Sequence, residues 1–154
     1  MSFQPPEQFN IADYFLDARL REGRGDRPAV LTDAATLTYR DVHALAGRLG
    51  NLLAAAGVEP EQRVIIALPD GPEFVAALFG VLKLGAVVVM VNPHLNVDAI
   101  AYFYGYTRAR VALVHREPGD PARDVGAHVD LGLRLDLPAG RHGGHEIAPP
   151  DFLE

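Results

Sequence analysis

The sequence has no cysteine, one lysine and one serine, and each of these scarcities excludes a class of chemistry. Without cysteine the chain can form neither a disulfide framework nor a thiolate site, which fits a reducing cytoplasm. The single serine, Ser2, lies in no nucleophile elbow, so a serine-hydrolase site is excluded. The single lysine, Lys83, is preceded by Leu82 rather than glycine, so the chain has no Walker-type phosphate loop.

Long apolar runs and clustered positive charge are also lacking. The most apolar stretch, residues 74–91, is interrupted by Gly80, Lys83 and Gly85, so we predict no membrane span. The amino terminus has neither a basic nor an apolar leader region, and we therefore predict no secretory signal. The net charge is −6 and the arginines are interspersed with acids, so nucleic acid is not an expected partner.

Apolar residues are nevertheless abundant enough to build a core. They make up 49% of the 154 residues, against 22% charged residues, a balance typical of a soluble globular domain. Periodicity and turn residues predict helices at residues 10–22, 39–56, 72–84 and 97–106. They predict short strands at residues 29–32, 37–39, 64–68, 86–91 and 111–114.

The order of these elements predicts the fold class. The last three strands are wholly apolar and alternate with helices, which indicates βαβ units. We therefore predict an α/β fold, with a parallel sheet that carries helices on both faces. The first two strands are close enough to form a hairpin, and Thr38 with Asp41 predicts a capping box at the start of the second helix.

Hydrophobic spacing also predicts which helix faces are buried. On the first helix the spacing places four apolar residues on one face: Ile11, Tyr14, Phe15 and Ala18. On the third helix the expected buried residues are Phe74, Leu78, Phe79 and Leu82. The tyrosines and the phenylalanine of the fourth helix (Tyr102, Phe103, Tyr104 and Tyr106) look like an aromatic platform, but at helical spacing we expect core or half-buried packing.

Residues 116–154 differ in character from the rest of the chain. They contain many of its prolines and glycines, and we expect a partly ordered tail in which residues 129–137 alternate as an extra strand would. We therefore divide the chain into a domain of residues 1–115 and this tail. His142 and His145, with His115 and His128 nearby, match no common zinc spacing, so we predict no metal site.

Two segments carry a family resemblance. Leu37-Thr-Tyr-Arg-Asp-Val42 and the stretch from Gly80 to Leu95, with Lys-Leu-Gly85 and Val91-Asn-Pro93, resemble the first two sequence blocks of the adenylate-forming enzymes. That family includes acyl- and aryl-CoA synthetases, luciferases and peptide-synthetase adenylation domains. The resemblance covers residues 10 to about 115, and it is nearest to the benzoate–CoA ligase branch. It explains Arg24-Gly-Asp26 as a turn rather than an adhesion motif.

The resemblance implies a two-step reaction that uses ATP, Mg²⁺ and coenzyme A in the complete enzyme. An acid forms an acyl-adenylate, and coenzyme A then displaces AMP to give a thioester. In the family, a Ser/Thr/Gly-rich loop ending in lysine binds the ATP phosphates after these blocks, and this chain ends at Glu154 without it. We therefore expect an N-terminal fragment that is inactive alone and binds no cofactor by itself, and we assign no catalytic residue.

Two other functions remain open at this stage. The chain could be one subunit of a split ligase, or a non-catalytic interaction module that uses an exposed sheet edge. A truncated sheet would expose apolar surface, so the expected partners are the remainder of a ligase or a second copy of this chain. We expect no membrane partner.

His94 is the one candidate cofactor-binding residue. In some aryl-CoA ligases an arginine after the Asn-Pro turn approaches the phosphates of coenzyme A, and His94 occupies that position here. A neutral imidazole is a poor phosphate ligand, and its charge depends on a pKa near neutrality. The alternative is that His94 is an ordinary histidine of a surface loop.

Overall fold

The computed structural model describes residues 4, 5, 7 and 9–115, except the side chain of Val97. The predicted tail, its strand at residues 129–137, and His128, His142 and His145 lie outside this part of the chain. Within it, the elements in chain order are a π-helical segment (Asp13–Asp17) that runs into α1 (Ala18–Arg21), β1 (Pro28–Leu31), β2 (Thr36–Thr38), α2 (Tyr39–Ala55), β3 (Arg63–Ala67), α3 (Pro72–Lys83), β4 (Val87–Met90), α4 (Val97–Thr107) and β5 (Val111–Val114).

The strands form two sheets. β1 and β2 pair antiparallel, as the predicted hairpin requires, with an irregularity in register between Pro28 and Val30. β3 is the central strand of a three-stranded parallel sheet in the order β4-β3-β5. Its residue Val64 lies opposite Val88 of β4 on one side and Val111 of β5 on the other. The predicted parallel sheet is therefore confirmed.

Helices cover both faces of the parallel sheet, as predicted. Val64 and Ile66 of β3 lie on the face of the sheet that α2 and α3 cover. Ile65 and Ala67 point the other way and share a cluster with Phe103 of α4. Successive side chains of a strand alternate between faces, so an unbroken apolar strand needs a cover on each side. No helix in the described part of the chain is both long and apolar enough to cross a membrane.

The buried face of α3 is formed by two alanines, one glycine and one valine, so the prediction for this helix was wrong. The buried residues are Ala76, Ala77, Gly80 and Val81, whereas the predicted set of Phe74, Leu78, Phe79 and Leu82 is only half-buried. The cause is the close approach of α2. A Cβ atom added to Gly80 would lie 3.0 Å from the carbonyl oxygen of Ala46.

The apolar face predicted for the first helix is not the face that the structure buries. Ala12 and Leu16 are buried, while Ile11, Tyr14 and Phe15 are exposed. The π-helical turn departs from the 3.6-residue spacing on which the prediction rested. A hydrogen bond holds the start of the first helix against the end of α3: the Asn10 side-chain amide donates to the carbonyl oxygen of Leu82 at 2.6 Å.

The capping box at the start of α2 is confirmed. The Thr38 hydroxyl accepts a hydrogen bond from the Asp41 backbone N–H at 3.2 Å, and the Asp41 carboxylate accepts from the Thr38 backbone N–H at 2.9 Å. At the other end of α2, Gly57 adopts φ +77°, the left-handed conformation that favours glycine after a helix. The sequence thus determines both ends of this helix locally.

Replacing Thr38 with alanine is expected to lower the free energy of unfolding by about 0.5–2 kcal/mol, because loss of the cap leaves the Asp41 backbone N–H without its acceptor. Hydrogen bonds from the Thr38 hydroxyl and then its N–H lower the pKa of Asp41 from 3.8. A carboxyl group whose pKa is lowered in the folded state stabilises the fold at pH values above its unfolded-state pKa. This stabilisation is lost as the pH falls through the folded-state pKa.

Urea unfolding followed by circular dichroism tests this, at neutral pH and at about pH 3. Thr38→Ser keeps the hydroxyl and is the matched control, since serine is also a preferred cap. The deficit of Thr38→Ala relative to the control should shrink in acid. Equal urea midpoints for all three proteins at neutral pH would contradict the proposed role of the box.

Candidate functional site

At the carboxyl edge of the parallel sheet the chain switches from one face of the sheet to the other. It leaves β3 toward α3 on one face, and it leaves β4 toward α4 on the opposite face. The loops after these adjacent strands lie next to each other at this edge, and open α/β sheets bind ligands outside the carboxyl ends of their strands. We call residues 68–71 and 91–96, where the chain changes face, the switch-point loops, and the edge that carries them the switch point.

The first switch-point loop is acidic and short. Leu68 is buried, Asp70 is exposed, and Gly71 leads directly into Pro72, the first residue of α3. A Cβ atom added to Gly71 would lie 3.2 Å from a carboxylate oxygen of Glu73. Two carboxylates beside this helix end oppose the binding of phosphate groups there, although a helix start otherwise favours anions.

The second switch-point loop is held by its own asparagines. The Asn92 side-chain oxygen accepts a hydrogen bond from the backbone N–H of His94 at 2.9 Å. The Asn96 side-chain oxygen accepts from the Ala99 N–H at 2.9 Å and caps α4. His94 is exposed on this turn. The structure thus places the candidate His94 at the switch point, on a turn whose backbone is fixed by local hydrogen bonds.

Binding of ATP with Mg²⁺ requires cationic groups for the phosphates and oxygen ligands for the metal. The only lysine, Lys83, donates to both carboxylate oxygens of Asp17, at 2.6 and 2.7 Å. Neither switch-point loop contains lysine or arginine. In residues 9–115 no group of three histidine, aspartate or glutamate side chains is arranged to hold a metal ion. These residues therefore do not fit the triphosphate or its Mg²⁺.

Sequence reasoning missed a polar cluster at the junction of three helical elements. Asp17 lies within 4 Å of two other side chains: the ammonium group of Lys83 on α3, and the imidazole of His43 on α2, whose Nε2 is 3.4 Å from the carboxylate. Asp17 and Lys83 are 66 residues apart in sequence, and no motif signals their contact. The cluster fastens the first helix to α2 and α3, and its role is structural.

The aromatic residues of α4 divide into two pairs. Phe103 and Tyr104 are half-buried against the sheet, as predicted. Tyr102 and Tyr106, by contrast, are 62% and 74% exposed, so the prediction of packing was wrong for them. Their rings are stacked, with centroids 5.8 Å apart and planes inclined by 14°. Side chains four residues apart share one face of a helix, and here that face points away from the sheet.

Comparison with known sequences gives consistent matches. The profile of the family described as AMP-binding enzyme matches residues 17–148. A 3-hydroxybenzoate–CoA/4-hydroxybenzoate–CoA ligase of Thauera aromatica is 35% identical over 114 residues, covering 74% of this chain and 22% of that protein. A 3-hydroxybenzoate–CoA ligase of Aromatoleum sp. (strain CIB) is 33% identical over 140 residues, covering 82% of this chain and 27% of that protein.

Solved structures show the same relationship. The anthranilate CoA ligase AuaEII, crystallised with anthranoyl-AMP, superposes with a TM-score of 0.67 at 33% identity, covering 72% of this chain and 21% of that one. A benzoate CoA ligase from Burkholderia xenovorans LB400 superposes with a TM-score of 0.64 at 30% identity, covering 70% and 22%.

The chain therefore spans about a quarter of the length of the curated relatives named above. Its described sheet and helices correspond to the N-terminal subdomain of adenylate-forming enzymes. The family profile covers most of the sequence, and the relatives agree with it in both sequence and fold. This chain belongs to the AMP-binding, adenylate-forming enzyme family, in its acid–CoA ligase group.

Proposed function

We propose that this chain supplies the N-terminal scaffold of an ATP-dependent ligase that joins an aromatic carboxylic acid to coenzyme A. In the complete reaction the acid carboxylate attacks the α-phosphate of ATP and releases pyrophosphate. The thiol of coenzyme A then displaces AMP to give the thioester. The observation that carries the proposal is the similarity to hydroxybenzoate–CoA ligases at 33–35% identity. We place the reaction in the cytoplasm, where both cosubstrates are available.

The groups that bind the ATP phosphates and Mg²⁺ are proposed to come from a further polypeptide segment. The sequence contains one lysine, Lys83, and Asp17 already holds its ammonium group. The first switch-point loop presents Asp70, which would repel a triphosphate. We therefore infer that residues 1–115 are a scaffold domain, that residues 116–154 are a tail attached to it, and that the chain alone does not adenylate an acid.

His94 is proposed to contact a phosphate group of coenzyme A. It is exposed, it lies at the switch point, and it is the only histidine, lysine or arginine in the sequence of the two loops. The Asn92 side chain fixes the backbone at His94, so the imidazole starts from a defined turn. The protonated ring would donate a charge-assisted hydrogen bond to phosphate.

Acid-dependent exchange between pyrophosphate and ATP tests the scaffold role. The purified chain is assayed alone and with a second polypeptide, the remainder of the benzoate CoA ligase of Burkholderia xenovorans LB400. Benzoate, the hydroxybenzoates and anthranilate are the substrates, and an aliphatic acid is the control. We expect no exchange from either polypeptide alone, and exchange with aromatic acids from the mixture.

The matched control is the ligase's own N-terminal segment in the same split format. If that pair is active and the pair with this chain is not, the scaffold proposal is contradicted. Exchange by this chain alone would contradict the assignment of the phosphate-binding groups to another segment. A reconstituted pair also supports the split-ligase form of the proposal over a non-catalytic interaction module.

His94 is tested in the active pair by varying coenzyme A in the thioester-forming step. His94→Ala should raise the KM for coenzyme A by roughly tenfold, the equivalent of one hydrogen bond to a charged group, and should leave pyrophosphate exchange unchanged. His94→Arg should lower that KM, because its guanidinium is always charged. The same KM in all three proteins would show that His94 is an ordinary surface histidine.

A further inference from the structure

The outer face of α4 carries a continuous exposed strip. Asp98, Tyr102, Gly105 and Tyr106 are all exposed, and their spacing places them along one side of the helix. We call these residues the α4 strip. The two stacked tyrosines form its centre, away from the sheet that the opposite face of α4 covers. Large exposed aromatic surface of this kind is typical of an interaction site.

The strip has a notch and opposite charges at its two ends. No atom lies within 4 Å of the position that a Cβ of Gly105 would occupy, so the backbone is open to close approach there. Asp98 lies in the first turn of α4, and the exposed Arg108 follows directly after its last residue. At 1.5 Å per residue these two charges are about 15 Å apart along the axis.

We propose that the α4 strip binds the α4 strip of a second copy of this chain, with the two helices antiparallel about a twofold axis. In this arrangement Asp98 of each copy faces Arg108 of the other copy. The tyrosines of the two copies interleave at the centre, and Gly105 admits the opposing rings. A twofold interface must be self-complementary, and a helix with the acid Asp98 in its first turn and the base Arg108 directly after its last residue meets that condition.

The helix dipoles favour the same arrangement. In an antiparallel pair the positive start of one helix lies beside the negative end of the other. The contact is limited to one helix face, so it falls in the class of small interfaces, and the dissociation constant of the dimer should be on the order of micromolar or higher. The inference does not rest on the ligase assignment, because it uses only exposed residues at and after the start of α4 and none of the switch-point loops.

Sedimentation velocity over a wide concentration range tests the proposal with the full chain. The weight-average mass should rise reversibly toward that of a dimer. Tyr102→Ser together with Tyr106→Ser should abolish this rise, because the aromatic centre is removed. Leu31→Ser is the matched control: Leu31 is 73% exposed but lies on the hairpin, so its replacement should leave association unchanged. A chain that stays monomeric throughout would overturn the proposal.

Charge exchange then tests the antiparallel geometry. Asp98→Arg and Arg108→Asp should each weaken self-association severalfold, because each copy then opposes like charges. An equimolar mixture of the two variants should associate at least as well as the original chain, since complementary charges face each other again. Circular dichroism verifies that both variants are folded. Association that survives the tyrosine replacements, or a mixture no stronger than its components, would place the contact elsewhere.

Discussion

Replacing Gly80 with valine is expected to lower the free energy of unfolding by about 3 kcal/mol or more, at the upper end of overpacking effects. A Cβ at this position would meet the carbonyl oxygen of Ala46 at 3.0 Å, the Cβ of Leu49 at 3.2 Å and the backbone nitrogen of Gly50 at 3.3 Å. Two of these neighbours belong to the backbone of α2, which cannot move without breaking its own hydrogen bonds. Valine adds two further carbons to a space that barely admits one.

Gly47, which lies on α2, provides the matched control. Nothing lies within 4 Å of the Cβ position there, so Gly47→Ala should raise the free energy of unfolding by about 0.5–1 kcal/mol through helix propensity alone. Both variants are measured by urea unfolding followed by circular dichroism. A Gly80→Val protein that unfolds at the original midpoint would show that α2 and α3 are farther apart in solution than the structure indicates.

The close crossing at Gly80 explains why part of the fold could be predicted from the sequence and part could not. The ends of α2 could be predicted because the signals are local: Thr38 and Asp41 cap one end, and Gly57 terminates the other. The buried face of α3 could not, because it depends on the distance to another helix. Hydrophobicity favoured phenylalanine and leucine, but the close crossing with α2 leaves no room for a side chain at Gly80 and turns the larger residues partly outward.

The candidate site shows the same division. The position of His94 after an apolar strand and an Asn-Pro turn could be predicted from the sequence, and the structure places it there. Its location at a switch point could not be predicted, because alternating strands and helices indicate a parallel sheet without giving the order β4-β3-β5. Contacts between distant segments, such as Lys83 with Asp17, likewise have no local signal.

Replacing Ile65 or Ile66 with alanine is expected to lower the free energy of unfolding by about 2–5 kcal/mol in each case. Both side chains have 0% exposure, although they are adjacent in the strand and therefore point to opposite faces. Ile66 packs in the cluster formed with α2 and α3, whereas Ile65 packs in the cluster beneath α4. In a sheet covered on one face only, one of the two replacements would cost little.

The comparison between these two isoleucines is therefore a direct test of the two-sided fold. Leu31→Ala on the hairpin is the control, because this residue is 73% exposed and its truncation should change the free energy of unfolding by no more than about 0.5 kcal/mol. If Ile66→Ala is costly while Ile65→Ala behaves like the control, α4 does not pack on the sheet in solution. The switch point would then be bounded by α3 alone and not by α4. The structural basis for placing a ligand beside His94 would be lost with it.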